Sequence, residues 1–86
     1  MRRSRTQIWR ETIEGIARVG CRVKYRTSRG RTIFSAISGD AKVAKFRGAT
    51  INDLLTAGFL EFGRNLPDGS SLVIPTATGK RLAGIV

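Results

Sequence analysis

The sequence contains no histidine and a single cysteine, Cys21. One thiol cannot close a disulfide within the chain, so a disulfide-stapled secreted scaffold is not expected. Without histidine and with one thiol, a zinc site of the Cys/His type is excluded within one chain. No apolar run approaches the length of a membrane span, and the basic start MRRSR is not followed by the apolar stretch of a signal peptide. A cytoplasmic location, in a bacterium or a phage-infected cell, fits these absences. Acid is scarce too, with 6 Asp+Glu in the chain. Acid–base chemistry would fall to those scattered carboxylates or to lysine. Cys21 lies in an expected strand and reads as a small buried hydrophobe. Thr78-Gly79-Lys80 matches the end of a phosphate loop but lacks the earlier glycine at the required spacing. No enzyme, metal or cofactor is expected.

What the chain has in excess is positive charge. The 86 residues carry 16 Lys+Arg and a net charge of +10. The length allows one domain, 1–86, with a basic arm over 1–5, and the 41% hydrophobic content suffices for a core. The charge is unevenly placed. Residues 1–47 hold the whole excess, and residues 48–86 sum to zero. A solubility role would not need that asymmetry, whereas a polyanionic partner would. The candidate contacts are Arg2, Arg3 and Arg5 in the arm, then Arg22, Lys24, Arg26, Arg29 and Arg31, then Lys42, Lys45 and Arg47.

Periodicity places these residues on elements. Ser4 and Gln7 have capping-box spacing. Ile8, Trp9, Ile13, Ile16 and Ala17 then recur at helical spacing, and Gly20 closes a helix over 5–19. Trp9 reads as core, with base stacking the lesser alternative. From Cys21 the period becomes two: Cys21, Val23 and Tyr25 alternate with Arg22, Lys24 and Arg26. With a turn at Thr27-Ser28-Arg29-Gly30 and a return strand to Ile37, this is a hairpin with one apolar and one cationic face. By alternation Tyr25 and Phe34 face the core. Residues 41–47 fit a short helix or a strand, with helix preferred and Gly48 closing it. Thr50-x-x-Asp53 resembles a helix start, with Ile51, Leu54 and Leu55 inward and Ala57-Gly58 at the end. Phe59, Leu60 and Phe62 enter a strand, Leu66 to Ser71 turns, Leu72 to Ile74 returns, and Pro75-Thr76 opens a last helix.

The expected class is α+β. The segment ATINDLLTAGFLEFGRNLPDGSSLVIPTATGKRLA, residues 49–83, resembles the C-terminal part of bacterial winged helix-turn-helix proteins. The matching features are Leu54-Leu55-Thr56-Ala57-Gly58-Phe59, the tip Asp68-Gly69, and Thr76-Ala77-Thr78-Gly79-Lys80. The resemblance implies a small winged helix-turn-helix-like domain carrying an additional β-hairpin in its N-terminal half. It implies that residues 50–57 enter the major groove, with Thr50 and Asn52 toward the bases and Arg64 on the wing. Gly48 becomes the turn glycine, with Val43, Ala49, Leu54 and Ala57 buried and Ala44 at the position for a small residue. Arg47 departs from the pattern, standing where an apolar residue is usual. The long hairpin departs as well.

The expected function is duplex DNA binding, as in a transcriptional regulator of phage or plasmid origin acting as a monomer or homodimer. The helix from Thr50 carries no cation, so phosphate affinity must come from the basic first half, and Asn52 is its best base reader. The competing class is a protein partner: an inhibitor or adaptor, of anti-CRISPR type, acting on a host nucleic-acid-handling complex. RNA binding through Tyr25 and Phe34 is a third reading.

Overall fold

In a computed structural model, the residues described are 4–40, 42 and 45–85, with the side chains of Arg26, Ser28, Thr32, Ile33 and Phe34 outside the description. The element order is α1 (Arg5–Val19), β1 (Cys21–Ser28), β2 (Arg31–Ser38), α2 (Gly48–Ala57), β3 (Leu60–Asn65), β4 (Ser71–Pro75) and α3 (Ala77–Ala83). The four strands form one antiparallel sheet in the order β2-β1-β4-β3. The α+β class and the extra hairpin are as expected.

Helix α1 starts where Ser4 Oγ accepts a bond from Gln7 N at 3.1 Å, and it ends at Gly20, whose φ of 81° breaks the helical path. Its inward residues Ile13 and Ile16 join Cys21, Val23, Ile51, Leu54, Leu60, Val73 and Ala83 in one core cluster. Trp9 packs on the margin of that cluster, its ring centroid 5.4 Å from Phe59. The inward positions of β1 and the inner faces of α1 and α2 therefore meet across one layer boundary. Ile8 and Ala17, on the same sequence pattern, are exposed.

The connection between β1 and β2 is only two residues long, shorter than the four-residue turn expected. Arg29 and Gly30 both have positive φ, 53° and 75°. That is the primed turn whose twist matches that of paired strands. All eight residues of β1 pair with β2 without a bulge, but only Cys21, Arg22 and Val23 pair with β4. Residues 24–35 therefore leave the four-stranded sheet as a two-stranded ribbon. Its five residue pairs span about 17 Å at the usual strand rise.

Three expectations around α2 are corrected. First, Lys42 lies in a turn and residues 45–47 are neither helix nor strand, so no helix runs through 41–47. Ser38 and Asp40 instead organise this stretch: Ser38 Oγ accepts from Asp40 N, and Asp40 accepts from Lys42 N. Second, α2 begins at Gly48, not Thr50, after Arg47 in an extended conformation and without a side-chain cap. Gly48 is thus inside the helix rather than at a turn, and Thr50 does not cap it. Third, Ala49 and Ala57 are exposed; Ile51 and Leu54 are the buried positions. The expected places of Val43 and Ala44 lie outside the described residues.

The end of α2 and the start of α3 are joined by specific bonds. Gly58 caps α2 in the left-handed region at φ 84°. Thr76 Oγ1 donates to Gly58 O at 2.7 Å and also accepts from Gly79 N at 3.0 Å, capping α3. Thr76 N donates to Phe59 O at 3.1 Å. A Cβ on Gly79 would lie 1.9 Å from that same carbonyl oxygen. Thr76 and Gly79 therefore clamp the start of α3 onto the end of α2, and only glycine permits the approach.

Candidate nucleic-acid interface

The ribbon gathers cations by local chemistry. Alternation along β1 sends Cys21 and Val23 into the core and leaves Arg22 and Lys24 exposed on the opposite face. Arg26 follows in register, paired with Ile33. Arg29 and Arg31 are exposed at the tip. Residues 24–35 thus contain Lys24, Arg26, Arg29 and Arg31 and no acid. Lys42, Lys45 and Arg47, all exposed, lie on the connection from β2 to α2.

Other expected contacts are placed less favourably. Arg5 sits in the first turn of α1 with its guanidinium 5.9 Å from the Trp9 ring centroid, a cation–π arrangement that occupies it. Arg2 and Arg3 lie outside the described residues. On α2, Asn52, Asp53 and Thr56 are exposed while Thr50 is half-buried, so the outward surface of this helix is uncharged apart from Asp53. Arg64 is exposed on β3, at an irregularity between Phe62 and Asn65 where the register with β4 shifts. Tyr25 is exposed rather than core, on the part of β1 beyond its pairing with β4.

Asp68, expected only as part of the tip Asp68-Gly69, has a partner that the sequence does not reveal. Asp68, at the β3–β4 turn, reaches back to Arg22, its Oδ2 3.2 Å from the guanidinium. Its other oxygen accepts from Ser70 N at 3.0 Å and Ser70 Oγ at 2.5 Å, and Ser70 is completely buried. The Ser70 bonds, followed by the charges of Arg22 and Lys24, hold the carboxyl below the ordinary carboxylate range. The only sequence signal was a turn aspartate two residues before a serine, which reports an Asx-type turn but not its distant partner. The root of the ribbon is therefore partly neutralised, and its fully cationic part begins at Lys24.

A cleft of about 340 Å3 opens beside Arg22, between Val19, Cys21, Ile37 and Leu72. Its chemistry is poor. Burial pushes the Cys21 thiol up to about 11, against the smaller opposing effect of a backbone hydrogen bond from Ile37, so it is not a thiolate near neutral pH. Among the described residues no group of three Cys, Asp or Glu side chains could hold a metal, and no helix is long and apolar enough to cross a membrane.

The arrangement is a cationic two-stranded ribbon joined at its root to the β3–β4 turn by the Arg22–Asp68 ion pair. Compared with protein-family models, curated proteins and solved structures, the chain matches none.

Proposed function

We propose that the protein binds duplex DNA by placing the β1–β2 ribbon in a groove. The supporting observation is the departure of residues 24–35 from the sheet with four cations and no acid. A major groove about 12 Å wide admits a two-stranded ribbon. Cationic side chains on such a ribbon meet phosphates along both walls, and each neutralised phosphate releases condensed counterions. Lys42, Lys45 and Arg47 supply backbone contacts next to the ribbon, and Asn52 is the one side chain on α2 suited to bidentate adenine reading. The role suggested is that of a transcriptional regulator of phage or plasmid origin, within a winged-helix-like reading of residues 49–83.

Affinity measured against salt tests the proposal. With about five phosphate contacts, raising salt from about 50 to about 200 mM should weaken binding several hundredfold. No binding to duplex at low salt would overturn it. Asn52→Ala should cost about 1–3 kcal/mol on a preferred sequence and little on random DNA. One observation favours a second reading: α2 exposes Asn52, Asp53 and Thr56 and no cation. Such a surface suits a protein partner better than phosphate, as in an inhibitor or adaptor of a nucleic-acid-handling complex. If selection from random DNA yields no preferred sequence, α2 is not a base reader and the protein partner is the better account of its surface.

A further inference from the structure

Two aromatic rings stand exposed where the ribbon leaves the sheet. Burial along β1 falls abruptly: Val23 is 1% exposed and Tyr25, two residues on and facing the same side, is 54% exposed. On β3, an edge strand, Leu60 is 2% exposed while Phe62, in register with the buried Val73, is 48% exposed. The two rings meet, centroids 6.3 Å apart and planes tilted by 50°. Tyr25 is the chain's only tyrosine, and Phe62 is one of four phenylalanines. Water contact with two large rings is unfavourable in proportion to the apolar area left uncovered.

The polar surroundings point to a ligand. Between the two strands lies β4, whose Ser71 pairs with Val23 on one side and with Asn65 on the other. Ser71 Oγ donates to Asn65 Oδ1 at 2.8 Å. With its oxygen accepting that bond, the exposed Asn65 amide still has two N–H donors to offer. Arg64 follows Phe62 by two residues, while Lys24, next to Tyr25 in sequence, is on the opposite face of β1. Exposed rings, an amide with free donors and a cation close by in sequence are what a nucleobase with its phosphate requires.

We infer that Tyr25 and Phe62 form a stacking site for an unpaired nucleobase, either in a single strand or extruded from a duplex. This rests on the nucleic-acid reading above. The ribbon's cationic side holds the phosphate backbone, and the opposite side, at the ribbon's root, holds the base. The protein therefore prefers nucleic acid with at least one unpaired base near the bound backbone.

The test compares a 12-residue oligothymidylate, a duplex with one bulged thymine and the perfect duplex, all at one salt concentration. Tyr25→Leu and Phe62→Leu should each weaken binding to the oligothymidylate and the bulged duplex by about tenfold, with less than a twofold change for the perfect duplex. Tyr25→Phe should restore the affinity. Circular dichroism and sedimentation of each variant report folding and self-association. Equal loss on all three ligands, no loss on any, or a change of oligomeric state in the leucine variants would overturn the inference; the last result would make the rings a contact between copies. If the wild type binds the perfect duplex with steep salt dependence and the leucine variants are unaltered, the stacking site alone falls. If it binds none of the three ligands, the nucleic-acid reading falls with it.

Discussion

The molecule contains two β-hairpins that share one sheet and differ in almost everything else. The β1–β2 hairpin turns through two residues, pairs without a bulge, extends beyond the sheet and is dense in cations. The β3–β4 hairpin has an irregular register and a longer turn, and it is tied down at both ends. Asp68 and Ser70 secure its turn, while Thr76 and Gly79 secure its exit. The difference separates two tasks. The second hairpin contributes Leu60 and Val73 to the core and fixes the helices. The first contributes Cys21 and Val23 to the same core, then leaves the four-stranded sheet beyond Val23 and presents charge. A segment that contributes little to the core can carry unfavourable charge density at little cost to stability.

The largest effect that would break this comparison lies in the second hairpin's exit. Gly79→Ala places a Cβ against the Phe59 carbonyl oxygen. Overpacking of this kind costs about 1–3 kcal/mol. Thermal unfolding should therefore shift downward by several degrees, while the salt dependence of DNA binding by the folded fraction stays unchanged. A loss of binding with stability intact would place function in the scaffold region instead.

This residue also marks the limit of what the sequence makes legible. The Thr76-x-x-Gly79 spacing was visible as part of a resemblance, yet the need for glycine depends on Phe59, twenty positions away in the chain. Helix α1 and the hairpin followed from local signals: a cap at Ser4, a glycine stop, and a clean change of period at Cys21. Residues 41–47 failed because a short run containing Val43, Ala44 and Phe46 satisfies two periods equally, so periodicity cannot choose between them. Exposure of Tyr25 was also hidden. Alternation gives the face of a strand but not the point at which its pairing with β4 ends. The cationic patch was readable from charge placement, whereas the Asp68–Arg22 pair joins residues 46 apart and required the fold.

A smaller effect sharpens the boundary between the hairpins. Asp68→Asn removes a negative charge from the ribbon's root and releases Arg22 from its ion pair. Affinity for duplex DNA should rise about threefold to tenfold, with a salt slope steeper by about 0.9 for one added phosphate contact. Unchanged affinity would show that Arg22 lies outside the interface.

The smallest expected effect is at the ribbon tip. Arg29 occupies the left-handed region at φ 53°, which costs a non-glycine residue about 1 kcal/mol. Arg29→Gly retains the turn, so the thermal midpoint should stay level or rise slightly, while duplex affinity falls by a few fold. Stability and binding would then move in opposite directions within one substitution. A fall in both would assign Arg29 a structural role.

The central claim is that phosphate affinity resides in the ribbon. The most direct measurement is the slope of log affinity against log salt for two variants beside the wild type. One is Lys24→Ala with Arg26→Ala and Arg31→Ala; the other is Lys80→Ala with Arg81→Ala in α3. The ribbon variant should lose about 3 from the slope and on the order of a hundredfold in affinity near 0.1 M salt. The α3 variant should stay within about threefold of wild type, as expected for charges outside the phosphate contacts. Equal losses from the two variants would contradict the account, because net charge alone would then explain binding and the ribbon would have no special part in it.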